Sequence, residues 1–147
     1  LGGKQKNKLF FQLINKYFTY GTEYKVYIAE INGDIAAGLL VFFHKEYIEY
    51  FTPVITAKYR PYQALSAIIF TAMVEAINDG RKIWNWGGTW FRNQDGVKRF
   101  KERWGTQEKI YNYYTCIKNP SIYNSNPETL EFQYPSFYVI PYNKLRS

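Results

Sequence analysis

Residues 24–56 read YKVYIAEINGDIAAGLLVFFHKEYIEYFTPVIT, and this stretch decides the fold. Tyr24–Ile31 alternates between two faces, which is typical of a β-strand. Asn32-Gly33 follows and strongly indicates a hairpin, because a type I′ turn needs positive φ at both central residues. Ile35–Phe43 is a continuous apolar run that predicts a central strand buried on both faces, and Tyr47–Thr56 predicts a third strand. The stretch therefore predicts an antiparallel meander.

Helices are predicted before and after the meander. Lys4–Tyr20 carries apolar residues at helical spacing, with lysines and amides between them. The longest predicted helix runs from Pro61 to Asp79, since proline suits its first position and Gly80 suits its end. The middle of this helix is apolar nearly all round, so we expect it to be buried between two layers.

The second half of the chain alternates between strand and helix. Lys82–Trp86 predicts a short strand, Gln94–Trp104 a helix, and Gln107–Ile117 a tyrosine-rich strand. Residues 119–147 contain prolines among Asn, Ser and Tyr, which indicates an irregular tail with a late strand at Ser136–Ile140. The predicted fold class is α+β, with a mixed sheet made of the meander and then strand-helix-strand, and with helices packed on both faces.

Composition narrows the class of protein. The chain of 147 residues is one domain's length, and its 46% hydrophobic content excludes a disordered chain. A net charge of +7 and 15 Tyr, 11 Phe and 4 Trp favour anionic partners. One Cys and one His exclude an intramolecular disulfide and a His-based zinc cluster.

No apolar run reaches transmembrane length, and we expect a cytoplasmic protein. The start Leu1-Gly2-Gly3, with Met73 as the only Met, suggests a fragment cut on its N-terminal side.

Lys101 is the first candidate for catalysis. On the predicted helix it lies about 70° from the centre of the apolar stripe, so its stem follows buried surface and its ammonium reaches the margin. A cation placed there can offset negative charge that develops on a substrate. The alternative is a lysine with a buried stem and no substrate to contact.

Glu49 and two tryptophans are further candidates. Glu49 lies mid-strand among apolar residues, where the pKa of a carboxyl group rises and the group can act as a base; the alternative is a solvated or ion-paired Glu. Trp86 and Trp90 flank Gly87-Gly88 and can stack on a substrate, whereas for most other aromatic residues core packing is the better interpretation.

A motif after the short strand resembles a known family. The segments Asn85-Trp86-Gly87 and Gly96–Gly105, which reads GVKRFKERWG, look like the C-terminal part of the FemABX family and its relatives among GNAT-fold acyltransferases. The resemblance extends over the order of strands and helices from about Lys25 to Thr115. It implies a GNAT fold and substrate-site roles for Phe100 and Lys101, and we add Asn85 to the substrate-binding candidates.

The same resemblance implies a reaction and partners. An acyl or aminoacyl group would be joined to an amine of a cell-envelope or polysaccharide precursor, with acyl-CoA or aminoacyl-tRNA as the donor. Proteins of this family usually contain two GNAT-like halves, so the resemblance implies an N-terminal domain of the same protein as a partner. It also implies a location in the cytoplasm or at the inner face of the membrane.

The expected phosphate loop departs from the family pattern. GNAT enzymes that use CoA carry a glycine-rich turn before the long helix, where N–H groups meet the pyrophosphate. Residues 58–65 read KYRPYQAL, without glycine, and Pro61 removes one donor. Arg60 or Gln63 can still hold an anionic group, and the alternative for both is a capping role.

Two other functions remain open on sequence grounds. One is a basic module that binds RNA or tRNA, since Lys98, Arg99 and Arg103 lie on one predicted helix, although no RNA-binding signature is present. The other is a catalytically silent GNAT-like half that completes the fold, for which a cofactor loop without glycine is expected.

Overall fold

The computed structural model describes residues 6–89, 95–134 and 144–145. The chain divides into two compact units, residues 1–103 and 104–147. The first unit contains α1 (Lys8–Tyr17), β1 (Tyr24–Ile31), β2 (Asp34–His44), β3 (Tyr47–Ile55), a 3-10 helix (Ala57–Tyr62), α2 (Ala64–Asn78), β4 (Ile83–Asn85) and α3 (Asp95–Glu102). The second unit contains a 3-10 helix (Pro120–Asn124) and α4 (Pro127–Gln133).

The sheet has the order β1-β2-β3-β4, and the predicted antiparallel meander is confirmed. Asn32 and Gly33 have φ values of 52° and 83°, as the hairpin turn requires. Strand β4 pairs with β3 in parallel through three positions, which end at Glu49 opposite Asn85. Strand β3 continues to Ile55 against β2, so the pairing of β3 with β4 stops at Glu49 while β3 itself goes on.

Helices cover both faces of the sheet, as expected for the α+β class. On one face Ile14 of α1 packs with Tyr24 and Leu40. On the other face Glu75 of α2 accepts hydrogen bonds from Lys25 and Tyr27 of β1. The largest fully buried side chains are Leu39, Val41 and Ile69. The core therefore lies mainly between α2 and the central strand.

The long helix differs from its prediction in two ways. It begins at Ala64 rather than Pro61, because Pro61 lies inside the 3-10 helix and Gln63, at φ 57° and ψ 27°, breaks the path between the two helices. The prediction that this helix is buried between two layers was also wrong. Among the described residues, Phe70 and Ile77 on its outer face are 63% and 69% exposed.

Other predicted boundaries also change. The strand predicted at Gln107–Ile117 is wrong, since these described residues form no strand. The tail is less irregular than expected, because Asn126 accepts a hydrogen bond from Thr129 N–H at 3.0 Å and caps α4. The strand predicted at Ser136–Ile140 lies outside the described residues. No helix in the described parts of the chain is long and apolar enough to cross a bilayer.

Candidate active site

The end of β4 is shaped by Asn85. Its side-chain Oδ1 accepts a hydrogen bond from Gly87 N–H at 3.0 Å, which turns the chain sharply after the strand. Gly87 takes φ +67°, a conformation that favours glycine. A Cβ at this position would lie 3.4 Å from Glu49 Oε1, so the loop passes very close to the carboxylate.

Glu49 and Asn85 form the centre of the site. They are opposite each other in the parallel register, so both side chains lie on one face of the sheet. Asn85 Nδ2 donates to Glu49 Oε2 at 2.6 Å. Burial raises the pKa of the Glu49 carboxyl above its ordinary value, and the Asn85 hydrogen bond and the Lys101 charge oppose this rise. The result is a half-buried carboxylate held in one orientation, whose proton affinity is increased.

Lys101 reaches the same loop from α3. Its ammonium donates to the carbonyl oxygens of Gly87 and Gly88, both at 3.2 Å, and to Thr89 Oγ1 at 2.8 Å. Burial lowers the pKa of this ammonium, and the nearby Glu49 charge raises it. These three acceptors all belong to residues 87–89, and an ammonium has protons to donate to such a set. Lys101 therefore fixes residues 87–89, which follow β4, and places a positive charge near Glu49.

Aromatic rings pack beside this polar cluster. Trp86 lies 4.9 Å from Tyr50 and 5.6 Å from Trp84, measured between ring centroids. Phe100 of α3 meets Trp86 edge-on, with centroids 6.1 Å apart and planes at 88°. Burial also raises the pKa of the Tyr50 hydroxyl. The packing of these rings anchors α3 against the end of the sheet.

The structure brings together most of the candidates from the sequence. Five of them form one cluster at the end of β3 and β4: Glu49, Asn85, Trp86, Phe100 and Lys101. Trp90 lies outside the described residues. Arg60 and Gln63 lie instead in the connection between β3 and α2. There Gln63 Oε1 accepts a hydrogen bond from Ser66 Oγ at 3.1 Å, a local contact at the start of the helix.

Sequence reasoning missed two participants in this cluster. Gly87 contributes a carbonyl to Lys101 and lies against Glu49, and Thr89 contributes a hydroxyl. The Asn-x-Gly spacing was a signal for the turn, because asparagine often bonds the backbone two residues on. No pattern in the sequence pointed to Thr89.

The arrangement is suited to proton transfer. Both ends of the Asn85 amide are engaged, one by Glu49 and the other by Gly87, so Asn85 orients the carboxylate. A carboxylate with a raised pKa that is held in place can accept a proton from a nucleophile at neutral pH. Among the described residues, no three His, Cys, Asp or Glu side chains are close enough to bind a metal ion.

The fold is of the GNAT-like type, and several solved acetyltransferases have similar folds. An aminoglycoside acetyltransferase from an uncultured soil metagenomic sample, solved with sisomicin, is 11% identical, with a TM-score of 0.57 over 80% of this chain and 78% of that one. A candidate acetyl transferase from Pyrococcus furiosus is 16% identical, with a TM-score of 0.58 over 75% and 73%. An aminoglycoside N-acetyltransferase solved with CoA is 10% identical, with a TM-score of 0.51 over 63% and 75%.

The family follows from the sequence. The model of the FemAB family matches residues 4–115, which is more than half of the chain. The chain therefore belongs to the FemAB family, as the motif around Lys101 indicated. No curated protein matches the sequence. Family and fold together support an acyl- or aminoacyltransferase.

Proposed function

We propose that the chain transfers an acyl or aminoacyl group to an amine of a cell-envelope or polysaccharide precursor, with Glu49 as the general base. The observation that carries the proposal is the half-buried Glu49 carboxylate, which Asn85 orients at 2.6 Å where the β3–β4 pairing ends. Its raised pKa, above the ordinary value of 4.5, suits a base that must take a proton near neutral pH.

The proposed step forms a C–N bond and breaks a C–O or C–S bond, with one proton moving from the nitrogen to the leaving group. The amine nitrogen attacks the carbonyl carbon of the donor, and the new C–N bond replaces the ester or thioester bond. The nitrogen loses one proton to Glu49, and the leaving oxygen or sulfur gains one, so that it departs as a hydroxyl or thiol. Because amine and donor are held together, the attack becomes effectively unimolecular.

Lys101 supports this step in two ways. Its hydrogen bonds to Gly87, Gly88 and Thr89 hold these residues beside Glu49. Its charge also favours the ionised form of Glu49, and hence the form that accepts a proton. The same charge can stabilise the oxyanion of the donor carbonyl or a phosphate of a substrate. Trp86 and Phe100 would supply an apolar wall for the substrate.

The connection before α2 bears on which donor the chain uses. The 3-10 helix Ala57–Tyr62 and the left-handed Gln63 occupy the chain before α2, where a glycine-rich turn is expected in enzymes that use CoA. Pro61 belongs to that 3-10 helix and removes no donor from the first turn of α2. The N–H groups of that turn can still meet an anion, so we propose both acyl-CoA and aminoacyl-tRNA as donors to be tested.

Mass spectrometry of the product tests the proposal. The 147-residue chain is incubated with acetyl-CoA or with a pool of aminoacyl-tRNAs, together with amine acceptors such as amino sugars and lysine-containing peptides. We expect one donor and one acceptor to give a new amide. Glu49→Gln should lower its rate about 100-fold or more, the usual loss on removing a general base.

Glu30→Gln is the matched control, because Glu30 is an exposed carboxylate on β1. It should leave the rate unchanged. Product formed equally by Glu49→Gln would remove Glu49 as the base. Absence of product with every donor, together with tRNA binding that weakens steeply as salt rises, would favour the RNA-binding alternative.

A further inference from the structure

Helix α1 carries more apolar surface than the sheet covers. Its inward side chains pack against the sheet. Ile14 is 5% exposed, and the Phe10 ring stacks on Phe51 with centroids 5.8 Å apart. A second apolar row, beside the side chains that pack on the sheet, is exposed. It consists of Leu9, Leu13 and Tyr17, which are 56%, 41% and 66% exposed. Each follows the previous one by four positions, so they form one row along the helix.

Positive charge surrounds this row. The first 22 residues contain four lysines and no Asp or Glu, and the first acidic residue is Glu23. Lys8 and Lys16 are exposed, and so is Lys6, whose ammonium lies 5.3 Å from the centre of the Phe10 ring. Lys16 follows Leu13 by three positions, which places it about 60° from Leu13 around the helix. Its ammonium lies 5.1 Å from the centre of the Tyr17 ring, so cation and apolar row form one surface.

We propose that this α1 surface, made of Leu9, Leu13, Tyr17 and the exposed lysines, binds an anionic lipid bilayer. A helix that lies in the membrane interface needs apolar side chains to enter the boundary of headgroups and acyl chains, and lysines to contact lipid phosphates. Long lysine stems allow both contacts from one side of a helix. Tyrosine is favoured at the same depth, because its ring is apolar and its hydroxyl is polar.

Charge and residue type favour a bilayer over other anionic partners. Single-stranded nucleic acid binds through phosphate contacts and stacked aromatic rings, and the aliphatic side chains of Leu9 and Leu13 serve neither contact. A second copy of this chain would bring the same lysines face to face and repel. The proposal concerns where the chain binds, and it holds whether or not Glu49 is a base.

Cosedimentation with vesicles tests the proposal. The 147-residue chain is mixed with vesicles of phosphatidylcholine alone or of phosphatidylcholine with phosphatidylglycerol. We expect binding to the mixed vesicles at least tenfold tighter than to the neutral ones, and its loss when NaCl rises from about 0.05 M to about 0.5 M. Leu13→Asp should weaken this binding at least tenfold.

Matched variants distinguish binding through the α1 surface from non-specific attraction of the whole chain, whose net charge is +7, to anionic vesicles. Ile77→Asp makes the same change at an exposed residue of α2 and should leave binding unchanged. Lys8→Gln with Lys16→Gln should weaken binding at least tenfold. Lys109→Gln with Lys118→Gln removes the same charge elsewhere and should have little effect. Circular dichroism checks folding, and if Leu13→Asp unfolds, the more exposed Tyr17→Gln replaces it.

Several results would overturn the proposal. These are no binding to either vesicle, equal binding to neutral vesicles, equal loss with the α2 variant, and equal loss with the control lysine pair. Displacement of the chain from vesicles by tRNA, with the loss of tRNA binding in Lys8→Gln/Lys16→Gln, would assign the surface to nucleic acid instead.

Discussion

The Asn85 side chain joins Glu49 to the loop that follows β4. Its Nδ2 donates to Glu49 Oε2 at 2.6 Å, and its Oδ1 accepts from Gly87 N–H at 3.0 Å. One amide thus fixes both the carboxylate and the turn, and Lys101 then closes the loop from the side of α3.

Replacing Asn85 should reduce stability as well as transfer. Asn85→Ala removes two hydrogen bonds from a half-buried site, and we expect the free energy of unfolding to fall by about 1–2 kcal/mol in urea titration. Asn85→Asp keeps the shape but sets a second carboxylate against Glu49, and it should destabilise the chain more at pH 7 than at pH 4. A loss for Asn85→Asp that is the same at both pH values would contradict the contact.

Two neighbouring glycines should respond differently to alanine. Gly87 has φ +67°, and a Cβ there would lie 3.4 Å from Glu49 Oε1. Gly87→Ala should therefore cost about 1 kcal/mol in thermal or urea unfolding and lower transfer. Gly88 has open space around its Cβ direction, so Gly88→Ala serves as the control and should change stability little. Equal losses of stability in the two variants would contradict the positive φ of Gly87 and its contact with Glu49.

The contact between β1 and α2 predicts a pH dependence of stability. Lys25 Nζ lies 2.5 Å from Glu75 Oε2, and the hydrogen bonds from Lys25 and Tyr27 lower the Glu75 pKa below 4.5. A carboxyl whose folded pKa is lowered stabilises the fold above its unfolded pKa and loses this effect as pH falls through the folded value.

Glu75→Gln should therefore be less stable than the native chain at pH 7, by less than about 1 kcal/mol because both side chains are partly exposed. The difference should shrink below pH 4, as measured by thermal unfolding across pH. Glu30→Gln, at an exposed carboxylate, is the control. A difference that grows in acid would contradict the contact.

Local signals predicted much of this fold, and long-range contacts explain what they missed. The turn at Asn32-Gly33 depends on two residues, so the hairpin and meander could be predicted. The start of the long helix could not, since the left-handed Gln63 overrides the preference of Pro61 for the first helical position. The tyrosine content of Gln107–Ile117 favoured a strand, but a strand also needs a neighbouring strand to pair with, which composition does not reveal.

The candidate site was also predictable only as far as local signals reached. Glu49 and Lys101 were found from their positions among apolar residues, because a charge on a buried face is unusual in any sequence. Their meeting at one loop depends on the parallel register of β3 and β4 and on the direction of the Gly87 and Gly88 carbonyls. Neither property can be predicted from a local pattern of residues.

The pH dependence of transfer tests the central claim, that Glu49 is the base and Lys101 favours its ionised form. The rate, followed by release of the donor's leaving group, should rise through an acid limb above pH 4.5, the ordinary value for Glu. Lys101→Met should move this limb to higher pH, because the charge that lowers the Glu49 pKa is gone. A limb at the same pH in both proteins, or one that persists in Glu49→Gln, would contradict the claim.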